Sequence, residues 1–85
     1  MLDPNKLKHR IITAWPEATV DFIDTTGTGD HFQAVVVASS FEGKTMVEQH
    51  KMVYALFDAE LKDGSLHALA LKTYTPTAWD KKNAK

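Results

Sequence analysis

The run His31-Phe32-Gln33-Ala34-Val35-Val36-Val37-Ala38-Ser39 is β-branched and apolar on both faces, which marks a strand from the middle of a sheet. Before it, Ala18, Val20 and Phe22 alternate with Thr19 and Asp21 and predict a half-buried strand ending near Asp24. Thr25 to Asp30 is then a loop, and the two strands pair as a hairpin. After it, Phe41-Glu42-Gly43-Lys44 makes a turn, and Thr45 with Glu48 forms a capping box that opens a helix. Val47, His50, Val53, Tyr54, Phe57 and Leu61 give one apolar stripe that Asp63-Gly64 ends, with a break inside it left open. Leu66 to Tyr74 alternates and reads as a third strand.

A helix between the second and third strands is the connection that parallel neighbours require. If these strands are adjacent, His31 and His67 start them at the same end of the sheet, and the Thr25 to Asp30 loop reaches that end as well. By the two-residue period, the side chain of His67 is expected on the face of Leu69 and Leu71.

At the chain's ends, Asp3-Pro4 is an N-cap and first-turn pair, and Leu7, Ile11 and Ala14 recur at helical spacing, so a first helix is predicted over Pro4 to Ala14. Thr75-Pro76 opens a short helix towards Trp79, and residues 80–85 are expected to fray. The order is α-β-β-α-(α)-β-α. The fold class is α+β, with a three-stranded mixed sheet and helices packed on one face, in a single domain over 1–85.

The chain has 85 residues, 44% of them hydrophobic, which suits one core and not two. Ten basic against eleven acidic side chains leave no global charge to attract nucleic acid or a membrane. Cysteine is absent, so disulfides, thiolate metal sites and a thiol nucleophile are excluded, and any soft metal ligand must be histidine. With no signal-like, transit-like or bilayer-spanning run in the sequence, a cytoplasmic location is expected.

His67, at the mouth of the third strand, is the leading candidate for chemistry, against a structural histidine bonded to backbone. His31 follows, held against Gly27-Thr28-Gly29-Asp30, where the glycines let backbone approach a ligand, Thr28 and Asp30 offer contacts and Asp30 offers a carboxylate. The competing reading is a hairpin turn that needs glycine for positive φ. His50 and His9 read as structural or solvated. Asp21, Asp24 and Asp30 line one hairpin without a calcium-loop pattern. Catalysis finds no dinucleotide fingerprint, phosphate loop or nucleophile elbow. Lys44, Lys51, Lys62 and Lys72 would serve nucleic acid if they cluster. The element order is also that of the KH architecture, but Glu42-Gly43-Lys44-Thr45 has only one glycine of the Gly-x-x-Gly clamp.

Gly29-Asp30-His31-Phe32, the segment from Phe41-Glu42-Gly43-Lys44 through His50 to Val53-Tyr54, and Leu66-His67-Ala68-Leu69 through Thr75-Pro76-Thr77-Ala78-Trp79 together resemble the BolA family. The resemblance spans nearly the whole chain. It implies a class II KH-like fold and a non-catalytic adaptor that pairs with a monothiol glutaredoxin. The pair would bridge a two-iron two-sulfur cluster, with thiolates from glutaredoxin and glutathione and a histidine from this side, in iron-sulfur homeostasis and stress regulation. His67 matches the family's C-terminal ligand. The loop of this chain lacks the Cys or His that commonly supplies a second ligand, so that place is open to His31, Asp30 or a partner residue. Alone, the protein is expected to be a monomer or a weak homodimer. The alternative is a transcription regulator that binds DNA, with Lys44 and Lys51 as contacts.

Overall fold

Three strands form one sheet in the order β1-β2-β3 in the computed structural model, which describes residues 2–84. β1 (Thr19–Asp24) pairs antiparallel with β2 (His31–Val37), and β2 pairs parallel with β3 (Ala68–Tyr74). The helical crossover between β2 and β3 therefore has the parallel consequence drawn from the sequence. His31 stands opposite Ala68, so the starts of the two strands share one end of the sheet.

The alternation of side chains gives the sheet two unequal faces. Val20, Phe22, Phe32, Ala34 and Val36 are buried with Leu7 and Ile11 of α1 (Pro4–Ala14) and Val53 of α2 (Met46–Leu56). Full burial of a side chain of this size contributes about 1.5–3 kcal/mol. Asp3 caps α1 by accepting the Asn5 amide at 2.9 Å. The capping box at α2 is present, with Thr45 accepting from the Glu48 amide and Glu48 from the Thr45 amide.

The helices on the first face are α1 and α2. The last helix, α4 (Pro76–Asn83), departs from the one-face expectation, because its Trp79 packs on Tyr74 and lines a cavity with Thr19, Asp21, Val35 and Val37 on the opposite face. The helix also continues into the residues expected to fray, through Lys81 and Lys82 to Asn83. Cations in the last turn suit the helix dipole, and the Lys82 ammonium sits 5.8 Å from the centre of the Tyr74 ring.

The expected apolar stripe divides at Phe57, which ends α2 and begins α3 (Asp58–Asp63). Phe57 is fully buried, its ring 5.9 Å from that of Phe22. Arg10 holds the break together. Its guanidinium donates to the Leu56 carbonyl at 3.0 Å and clamps both oxygens of Glu60 at 2.8 Å. At the stripe's ends, Val47 and Leu61 are exposed, not buried. β2 stops at Val37, and Ser39–Phe41 forms a short 3-10 turn that buries Phe41. Among the described residues no helix is long and apolar enough to cross a membrane.

Candidate functional site

The hairpin loop is braced by Asp24. One carboxylate oxygen accepts the amides of Thr26 at 3.2 Å and Gly27 at 2.9 Å, and the other accepts the Gly29 amide at 2.9 Å. Gly27 and Gly29 have φ of 75° and 74°, a left-handed geometry that glycine adopts without steric cost. The Leu2 amide donates to the Gly29 carbonyl at 3.0 Å, so the start of the chain also steadies the loop. The sequence pattern alone gives Asp24 no role beyond lining the hairpin. The legible signal for its real one is an Asp followed by Thr-Thr-Gly, an Asx-turn composition.

His67 enters beside this loop. The Asp30 carbonyl accepts two successive amides, from His67 at 2.8 Å and Ala68 at 3.1 Å. The alternation slips there: Leu66 is buried, His67 and Ala68 are both exposed, and Leu69 turns inward again. His67 therefore does not share the face of Leu69 and Leu71, as strict two-residue alternation predicted, and points outward. Its ring centre lies 5.4 Å from that of His31, with the planes 37° apart.

Asp30 organises the pair. Its Oδ1 lies 2.8 Å from His31 Nδ1 and accepts the Thr28 hydroxyl, which in turn contacts the Thr26 hydroxyl at 2.5 Å. The Thr28 hydrogen bond is the main reason that the Asp30 carboxyl is held below the usual carboxylate range. The His31 hydrogen bond adds to it, as does positive charge on His31 or His67. With Nδ1 engaged by Asp30, His31 keeps Nε2 for an outside partner. A carboxylate behind an imidazole is the arrangement that orients histidine ligands in metal sites. The sequence-predicted residues Thr28, Asp30, His31 and His67 thus converge at one end of the sheet.

Two imidazoles bound to one tetrahedral ion have ring centres roughly 5 Å apart, so the observed separation is compatible with a shared metal centre. Among the described residues no group of three or more His, Cys, Asp or Glu is placed to hold a metal ion. Two nitrogen donors leave a tetrahedral shell half filled, and the remainder has to come from outside.

Residues 7–78 match the family described as BolA-like protein. The chain belongs to the BolA family. It is 33% identical to the acid stress protein IbaG of Escherichia coli over 67% of this chain and 68% of that protein. The DNA-binding transcriptional regulator BolA of the same organism is 28% identical over 94% of this chain and 82% of its own length. The aligned stretch spans half the length of a BolA-like protein from Dictyostelium discoideum, at 37% identity. Among solved structures, a BolA homologue from Coxiella burnetii superposes with a TM-score of 0.72 at 38% identity, covering 94% of this chain and 99% of that one. A related protein from Babesia bovis reaches 0.84 at 26% identity, covering 98% and 95%.

The other candidates of this BolA-family chain lie elsewhere. His50 is inside α2 with its Nε2 enclosed and without a hydrogen-bond partner, its ring 6.2 Å from that of Tyr54. His9 is exposed on α1. The lysines do not form one patch: Lys44 and Lys51 are exposed before and along α2, Lys62 pairs with Asp58 at 3.0 Å, and Lys72 stands on the sheet face away from α2.

Proposed function

We propose that the chain is a non-catalytic adaptor that binds a monothiol glutaredoxin and shares a two-iron two-sulfur cluster with it. Its contribution is His67, with His31 as the second donor. The observation carrying this reading is the exposed imidazole pair at the end of the sheet, braced by Asp30 and incomplete as a coordination shell. Imidazole ligands would give such a cluster a higher potential than an all-thiolate set and make its attachment sensitive to pH. Asp30 fixes the ring of His31, and the doubly accepting Asp30 carbonyl fixes the backbone that presents His67. A role in iron-sulfur homeostasis and stress regulation in the cytoplasm follows from this reading, and one relative carries an acid-stress name.

Mixing the protein with a monothiol glutaredoxin, glutathione and a cluster source tests it. A heterodimer with a visible spectrum distinct from that of glutaredoxin alone is expected, and His67→Ala should shift that spectrum towards the glutaredoxin form. A spectrum that ignores the substitution removes His67 from the shell.

A second reading, a DNA-binding regulator, is favoured by the name of the relative aligned over 94% of the chain. Lys44 and Lys51 flank the exposed side chains of Met46 and Val47 and supply its contacts. Binding to duplex DNA that weakens steeply with salt, and weakens further in Lys44→Ala, would support it. Lack of binding at low salt rejects it.

A further inference from the structure

On the sheet face away from α1 and α2, strand register places Asp21, Val35 and Lys72 in one row and Thr19, Val37 and Tyr74 in the next. Trp79 of α4 folds over the second row, its ring centre 5.2 Å from that of Tyr74. Between them lies a cavity of about 240 Å³, lined by Thr19, Val20, Asp21, Val35, Val37 and Trp79. Val35 and Val37 belong to the same face of β2 as His31. The notch thus lies roughly 13 to 20 Å along that strand from His31, four to six residues at about 3.3 Å each.

We infer that this notch receives an arginine side chain of a partner polypeptide. Three observations select that chemistry. The volume falls short of the roughly 300 Å³ at which pockets for drug-sized molecules begin, so it suits one long side chain. Its floor is valine and its wall an indole, a surface on which an aliphatic stem lies and a weakly hydrated planar cation stacks. Its one charged lining residue is the exposed carboxylate of Asp21, and none of the ion pairs among the described residues uses it. A guanidinium stacked on Trp79 can meet that carboxylate through two parallel hydrogen bonds, which an ammonium cannot do. The chain's neighbouring cations are placed otherwise, with Lys82 over the Tyr74 ring and Lys72 across Val35 from Asp21. The inference concerns a separate surface and does not depend on metal sharing at the histidines.

The test is an NMR titration of the full chain with the blocked tripeptide Gly-Arg-Gly, following the Trp79 indole N–H and the Val35 and Val37 methyls. Saturable shifts at these three residues are expected. They should weaken roughly fivefold or more when citrulline replaces arginine, and by a similar factor in Asp21→Asn. Asp21 is exposed, so the variant should keep its amide dispersion, and Trp79→Phe gives a second, milder probe of the wall. No saturable shift up to the solubility limit overturns the inference. So does an equal response to the citrulline peptide, or a full response in Asp21→Asn that has kept its fold.

Discussion

The carbonyl oxygen of Asp30 accepts the amide of His67 at 2.8 Å, and that bond joins the hairpin loop to the start of β3. One residue thereby steers both imidazoles: its backbone positions His67, and its side chain holds His31. Loop and strand form one structural unit, and a partner touching either imidazole meets both.

The Asp30 carboxyl should titrate below the ordinary carboxylate value of about 3.9. Because its folded value is depressed, its ionised form favours the folded loop at every pH above the ordinary value. That contribution disappears only as pH falls through the depressed value. Amide shifts of Thr28 and His31 followed against pH should show their acid transition below the ordinary carboxylate range, and Asp30→Asn should abolish it. A transition at or above the ordinary value would contradict the hydrogen bonds assigned to Thr28 and His31.

Asp24→Ala removes the acceptor for three loop amides. Faster hydrogen exchange is expected at Thr26, Gly27 and Gly29, while the sheet amides of Val35 and Val36 stay protected. The loss of these local bonds should cost about 1–2 kcal/mol in urea unfolding. Unchanged exchange in the loop would show that the glycine geometry and Leu2 suffice.

Arg10→Ala should destabilise the fold by about 1–3 kcal/mol, since it frees the half-buried Glu60 carboxylate and the Leu56 carbonyl together. In a domain of this size that is a fall of roughly 4–8 °C in melting temperature per kcal/mol. Glu60, now held below the usual carboxylate range chiefly by the Arg10 hydrogen bond, should titrate higher in the variant. A variant that melts with the parent would show that the helix break at Phe57 needs no clamp.

Thr73 is buried with its hydroxyl unpaired, so Thr73→Val removes a desolvated polar group at nearly constant volume. A gain of about 1 kcal/mol is expected, read as a higher urea midpoint. A loss would reveal a hydrogen bond to that hydroxyl.

Much of this was legible in the residues. Helix caps at Asp3 and Thr45, the central character of Val35-Val36-Val37 and the parallel crossover follow from local chemistry and connectivity, and each predicted the element found. The juxtaposition of His31 and His67 followed from that crossover. What failed was periodicity where tertiary contacts override it. The stripe left a break open but counted Val47 and Leu61 as apolar-face residues, whereas both are exposed; the helix stops at the buried Phe57, and Arg10, forty-six residues from Leu56 in sequence, satisfies the break. The outward turn of His67 was equally hidden, because it depends on a carbonyl from the hairpin loop, that of Asp30, accepting two amides. The seat of Trp79 on the far face has no local signature at all.

The most direct test of the central claim follows the ring nitrogens of the histidines by NMR while the protein is titrated with a cluster-loaded monothiol glutaredoxin. His67 should shift or broaden first, His31 with it, and the enclosed His50 should stay unchanged. Complex formation that leaves the His67 ring unperturbed would contradict the account.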